Sequence, residues 1–446
     1  MKYALALLAV GCLVTAAYPQ WLETTIQLPS PSEPSALCYC PQNGRVYCAN
    51  CGGDNVSVID AATDSVIATV ATGRHPQVLC YNSQSNLIYC ANTGDLDEHD
   101  STVTVIDAAT NQAIATVVTG AGPIALAYNQ VDNKVYCANA GFDDWDSTVT
   151  IIDGVSNAVM GRVTTGLPPS ALCFNPVNDK VYCANPYSYN ITVIDGKTDQ
   201  VTADVPCPAY PLLLCYDSRD NTIFCATSEN NTRMVVIDGA GDYIVSKLAG
   251  VWEPLALCYN SADDRIYCAS EVCSLTVIDG RKRKVIGAAD AGDAPFAILH
   301  STTTNMVYCA NDVDGDVTVI DCATNSVVRN IPVGSRPISL ALDPVSHKVF
   351  VANSRGSSIS VIRDSVIGVQ AAPDVELHAA TIVRGVLLRP ERSGSSSRAR
   401  LLDVSGRKAI DLRPGANDVR ALAPGVYFVR EAQAQARDVR KVVIQR

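Results

Sequence analysis

Residues 128–153 read YNQVDNKVYCANAGFDDWDSTVTIID, three short strands joined by turns. The middle strand returns at 46–50, 88–92, 135–139, 181–185, 223–227, 266–270, 307–311 and 349–353, usually as Val/Ile-Tyr-Cys-Ala-Asn. One motif stated eight times describes an array.

The third strand ends in Asp60, Asp107, Asp153, Asp195, Asp238, Asp279 and Asp321, so successive copies lie 47, 46, 42, 43, 41 and 42 residues apart. Four strand-like runs fit inside that period, which suits propeller blades and is too long for a β-helix rung. Apolar residues alternate instead of recurring every three or four positions, which excludes helical solenoids. The expected fold is all-β: a β-propeller of eight four-stranded blades, with seven as the alternative. Residues 21–28 (WLETTIQL) alternate like a strand but have no partners before them. A closed ring needs such a strand if the N-terminal run completes the last blade beside residues 359–362, because closure removes exposed edges. Residues 365–370 compete for that place.

Prolines 34, 76, 123, 169, 211, 254, 295 and 337 precede the innermost strands, commonly three residues after Gly73, Gly120, Gly166, Gly292 or Gly334. The glycine is expected to supply a positive φ and the proline an extended lead into the strand. The Asp closing each third strand is expected to cap the turn into the fourth.

The Tyr-x-Ala-Asn and Val-Thr-Val-Ile-Asp strands resemble the YVTN β-propeller repeat family of surface-layer and other extracytoplasmic proteins over residues 22–370. Members are usually described as seven-bladed. The chain departs from that pattern in its cysteines, its eight motifs and Arg363 where the last third strand would end in Asp.

With 446 residues, 48% hydrophobic composition and a mean hydropathy of +0.12, the chain can bury a large core. Its net charge of −11 is unevenly spread: residues 380–446 carry 14 basic and 6 acidic side chains, leaving 20 against 39 before them. So acidic a body argues against nucleic-acid binding. MKYALALLAVGCLVTAA at 1–17 reads as a secretory signal with small residues at its end, too short to be a convincing membrane span. Cys12 raises the alternative of a lipoprotein signal. No later segment is long and apolar enough to cross a bilayer, so an extracellular or outer-surface location is expected.

From Asp374 the texture changes. Asp403-x-x-Gly406-Arg407, Leu422-x-x-Gly425-Val426-Tyr427 and Lys441-Val442-Val443-Ile444 resemble the C-terminal sorting domain of type IX secretion cargo, a small β-sandwich read by the export machinery. A generic accessory sandwich is the alternative. The implied organisation is signal 1–17, propeller 18–371, a linker with the first strand of the C-terminal domain at 372–399, and the rest of the sandwich at 400–446.

Eighteen cysteines are the strongest compositional signal. Five pairs stand ten residues apart: Cys38 and Cys48, Cys80 and Cys90, Cys173 and Cys183, Cys215 and Cys225, Cys258 and Cys268. They read either as cross-strand disulfides or as buried thiols, since Cys137 and Cys309 have Ala127 and Leu299 ten residues before them. Cys40 and Cys51 in the first repeat suggest a further disulfide, or a four-thiolate metal site with Cys38 and Cys48.

Loops between second and third strands are acidic in some blades: Asp95, Asp97, Glu98 and Asp100; Asp143, Asp144 and Asp146; Asp312, Asp314 and Asp316. The last set alternates carboxylates around a glycine and suits calcium, though it lacks the distant Glu of an EF-hand; a solvated loop is the plainer reading. These loops share an end of the propeller with the proline loops, making His75, Trp145, Tyr210, Trp252, Glu253 and Arg336 the candidate ligand face. The partner would be a protein, a glycan or an envelope polymer. No nucleophile elbow, His-Glu-x-x-His or phosphate loop is present. His300, in a position otherwise mostly Tyr or Phe, reads as packing. A binding scaffold is the first reading, and a lactonase-like or redox enzyme using the channel mouth is the second.

Overall fold

Every Val-Tyr-Cys-Ala-Asn strand is buried on both faces, which is why it reads as a near-continuous apolar run instead of alternating. The computed structural model describes residues 20–95, 99–141, 146–228, 233–271, 273–365, 381–383, 386–389, 399–402, 408–413, 415–419, 422, 425–431 and 439–444. Blade 1 is an antiparallel meander of Pro34–Cys40, Arg45–Asn50, Asn55–Asp60 and Ser65–Ala71. Six more meanders follow: blade 2 (76–118), blade 3 (123–164), blade 4 (171–206), blade 5 (210–248), blade 6 (254–290) and blade 7 (295–332). Blade 8 takes three strands from 337–363 and its outermost one from the N-terminal run Trp21–Gln27. That run pairs antiparallel with Ser358–Arg363, from Trp21 opposite Arg363 to Gln27 opposite Ser358. The innermost strands touch in an unbroken cycle, blade 8 against blade 1 included. The propeller has eight blades and is closed.

This closure explains Arg363. In blades 1 to 7 the Asp ending the third strand caps the turn into the fourth; Asp60 accepts from the Ala62 and Thr63 N–H groups at 3.0 and 2.9 Å. Blade 8 has no such turn, because its fourth strand arrives from the other end of the chain, and Arg363 instead pairs with Glu23 of the closing strand.

Blades are fastened at the end carrying these turns. The second-strand tyrosine donates to the following blade: Tyr47 to Asn111 (2.9 Å), Tyr89 to Asn157 (2.6 Å), Tyr136 to Asp199 (2.8 Å), Tyr182 to Asp242 (2.7 Å) and Tyr308 to Asp364 (2.6 Å). Lys134 and Lys180 add ion pairs to Asp199 and Asp242, and Lys348 of blade 8 reaches Asp64 of blade 1 at 2.7 Å. The motif's Asn works inside its own blade. Asn50 Nδ2 donates to Asn55 and Ser57, and Asn353 to Ser358 and Ser360, all within 3.2 Å.

Two sequence expectations are corrected. Gly73, Gly120, Gly166, Gly292 and Gly334 do not supply the positive φ; that falls on the residue just before the proline in six blades, including His75 at 46°, Glu253 at 38° and Arg336 at 56°. The glycine is required because the motif's Asn lies on it: a Cβ at Gly73 would come 2.7 Å from Asn92 Nδ2, and one at Gly334 2.6 Å from Asn353 Nδ2. The ten-residue cysteine pairs are not disulfides either. Register puts Leu37 opposite Cys48 and Cys38 opposite Tyr47, so Cys38 and Cys48 point to opposite faces of the blade. The same offset separates Cys80 from Cys90, Cys173 from Cys183, Cys215 from Cys225 and Cys258 from Cys268, and all ten thiols are free. The second-strand cysteines are fully buried small hydrophobes, and burial raises the Cys183 thiol to about 12. Cys40 and Cys51 sit at opposite ends of blade 1 and are likewise free.

Contacts divide the chain between Gly368 and Val369. The second unit holds a five-stranded sheet, in spatial order Thr381–Val383, Val439–Ile444, Gly425–Glu431, Ala399–Leu402 and Lys408–Leu412. Val386–Arg389 pairs with Gly415–Asp418 in a second, two-stranded sheet. Asp403, Gly406 and Arg407 lie outside the described residues, as do Cys12 and the whole 1–17 segment. Among the described residues no helix is long and apolar enough to cross a membrane.

Candidate functional site

At the end opposite the fastening turns, each blade presents its proline loop beside its loop between second and third strands. The backbone there repeats. The carbonyl of the residue before the proline accepts from the end of the second strand: His75 from Thr93 (3.1 Å), Glu253 from Glu271 (3.1 Å), Arg336 from Ser354 (2.8 Å). Non-glycine residues at positive φ are strained, and these bonds hold them there. His75 is held from its other side too, its N–H donating to Asp54 at 2.9 Å.

The acidic loops serve this scaffold. Asp100, Asp146 and Asp314 accept from the N–H after the loop glycine, at Arg74 (2.7 Å), Ala121 (2.8 Å) and Asp293 (2.7 Å). Ser188 takes that place at Leu167. The alternating carboxylates offered for calcium are therefore divided among separate partners. Asp312 pairs with Arg336 at 2.8 Å, Asp314 caps Asp293, and Asp316 accepts from Asn311 at 2.6 Å. Among the described residues no group of three or more His, Cys, Asp or Glu side chains converges as a metal site, the four blade 1 cysteines included. Asp97, Glu98, Asp143, Asp144 and Trp145 lie outside the described residues.

Two features of this end are not scaffold. Between blades 7 and 8, Asp312, Asp314, Ser335, Arg336 and Arg355 border a depression of about 710 Å³. At the crossing from blade 4 to blade 5 stands an aromatic shelf, and at the next crossing a separate Trp–Arg pair. Tyr189 stacks on Tyr210 with centroids 4.5 Å apart, and Tyr187 leans against the same ring at 5.7 Å. Tyr187 is 57% exposed, as is Trp252 to 58%, whose ring carries the Arg233 guanidinium 5.6 Å from its centroid. The described sequence candidates are thus on one end but not in one place: His75 lies between blades 1 and 2, Tyr210 between 4 and 5, Trp252 and Glu253 between 5 and 6, and Arg336 between 7 and 8. Tyr187, Tyr189, Arg233 and Arg355 were not among them. Tyr187 and Tyr189 had a signal, because Pro186-Tyr-Ser-Tyr189 replaces the small Cys51-Gly-Gly-Asp54 at the same place in the repeat.

His300 is packing: it is buried, its Nε2 lies 3.1 Å from Asn305 Oδ1, and burial lowers its pKa below the ordinary 6.5.

No family model matches the chain, and no curated protein matches it. Solved structures do. The computationally designed Ika8 protein is similar with a TM-score of 0.61 at 16% identity, over 75% of this chain and 98% of that one. A chain of the Kuenenia stuttgartiensis hydrazine synthase is similar with a TM-score of 0.52 at 16% identity, over 75% and 96%. The likeness is one of fold. At such identity it carries the propeller and no chemistry.

Proposed function

We propose that the chain is an exported, YVTN-type propeller that binds a partner through its proline-loop end, with the aromatic shelf as the contact. The observation that carries this reading is the Tyr187–Tyr210–Tyr189 stack. Nothing in blade construction requires it, since blade 1 makes the same connections with Glu33 and Cys51-Gly52-Gly53-Asp54, yet it holds Tyr187 open to solvent. Exposed aromatic faces, with a cation–π pair at the same end of the propeller, suit the C–H faces of a glycan, on a surface component or an envelope polymer. Residues 1–17 act as the export signal in this reading, 18–371 as the binder and 372–446 as a type IX-like sorting domain recognised by the export machinery.

The test is a glycan array and calorimetry on the purified chain, with Tyr210→Ala as the control. Binding that the substitution weakens at least tenfold supports the reading, while binding that ignores the shelf removes it. Hydrolase and redox screens on the same sample should be blank, and turnover would put the enzyme reading in its place. A chain lacking 372–446 should stay inside the cell envelope; normal delivery to the surface removes the sorting role.

A further inference from the structure

The crossing from one blade to the next repeats a backbone bond at 2.7 to 3.1 Å, made by Thr72, Thr119, Thr165, Cys207, Ala291 and Val333 in turn, and at one of them the side chain is a thiol. Just after the outermost strand, the N–H of Thr119 donates to Ser101 O, that of Thr165 to Ser147 O and that of Cys207 to Tyr189 O, each at 2.7 Å. This backbone bond sets the side chain against the second-strand cysteine of the following blade. The Thr119 hydroxyl meets the Cys137 thiol, and the Thr165 hydroxyl meets Cys183. At the crossing from blade 4 to blade 5 the hydroxyl is replaced by a thiol, and Cys207 meets Cys225.

Cys207 and Cys225 lie in one core cluster with Val205, Ile223 and Val235, at 6% and 0% exposure. Their surroundings differ. Contact with Cys225, the Ala209 N–H and the charge of Lys247 hold the Cys207 thiol below its ordinary value, while burial drives Cys225 up. Cys207 is the more acidic of the two thiols and keeps a small exposed fraction, while Cys225 is fully buried.

We propose that Cys207 and Cys225 are a redox-active dithiol that closes a disulfide between blades 4 and 5. With a small-molecule disulfide as oxidant, Cys207 thiolate attacks one of its sulfurs and releases the first thiol, leaving a mixed disulfide on Cys207. Cys225, having given up its proton, attacks Cys207 Sγ and releases the second thiol. The protein loses two protons and two electrons, and the oxidant takes up both as two thiols. The bond forms at the root of the loop that carries Tyr210.

The experiment treats the reduced, folded full-length chain with oxidised glutathione, quenches with acid, alkylates the remaining thiols and maps peptides without reduction. The expected result is a peptide pair joined through Cys207 and Cys225, a free-thiol count lower by two, and a melting temperature a few degrees above that of the reduced chain. Cys207→Thr, which installs the residue of the neighbouring crossings, should fold, lose the linked pair and melt at one temperature in both conditions. Three results overturn the proposal: both cysteines fully alkylated after oxidation, glutathione retained on Cys207 with Cys225 free, or either cysteine joined to a different partner.

Discussion

The two ends of the propeller come from the same repeat, yet they differ in what repeats. At the turn end the side chains themselves recur: a tyrosine of one blade donates to the turn of the next in blades 1, 2, 3, 4, 6 and 7, with Lys134, Lys180 and Lys348 adding ion pairs. At the loop end the buried framework of Asn, Gly and Pro recurs with its backbone bonds and caps, while the exposed side chains above it vary from Asp to Tyr to Arg. A side chain that recurs at equivalent positions answers a demand made by every blade. One that departs from the repeat while staying exposed answers something else, and Tyr187, Trp252 and Arg355 are of that kind.

Breaking the ring should cost most. Ile26 of the closing strand is buried against Phe350, Ile359 and Val361, so Ile26→Asp should lower unfolding free energy by about 4 kcal/mol in urea titration. A change no larger than at an exposed position would show that closure contributes little. Next is the turn end. Lys134→Met leaves Asp199 without its ion pair and should cost about 3 kcal/mol by the same measurement. A loss under about 1 kcal/mol would place the pair with weak surface bridges.

The loop end should respond in the opposite way. Tyr187→Ala should alter stability by less than about 1 kcal/mol and weaken binding of the shelf's ligand by about tenfold, measured by calorimetry beside a melt. The smallest effect is at His300. Its folded pKa lies below the ordinary 6.5, so its contribution to stability is complete above pH 6.5 and is lost as pH falls through the lower folded value. His300→Tyr, the residue of most other blades, should flatten stability against pH in that window; an unchanged slope would assign it to other groups.

Much of the fold was legible. Each strand must satisfy its backbone and bury its apolar face, and a chain solving that problem eight times repeats its solution at a readable period. The lone strand at 21–28 was legible as the closing strand because a ring admits no unpaired edge. Cysteine geometry was not. Whether Cys38 faces Cys48 depends on a one-residue choice of hairpin register, settled by the turn around Gly44 at φ 64°. The loop glycines misled for a related reason: composition shows that a Cβ is absent but not whether φ or a neighbour forbids it. The carboxylates at 312, 314 and 316 looked like one cluster until each found its own partner.

The amino-acid sequence alone determined the blade as the repeating unit, the strand order within it and the end at which loops gather, because these follow from local alternation and repeat length; the choice between seven and eight blades fell to the structure. Only the tertiary structure decided which residues of different blades meet. The Tyr187–Tyr210 shelf joins side chains 23 positions apart, and Cys207 meets Cys225 across a blade boundary. Such neighbours arise from packing one twisted sheet on the next, a geometry that no stretch of chain carries by itself.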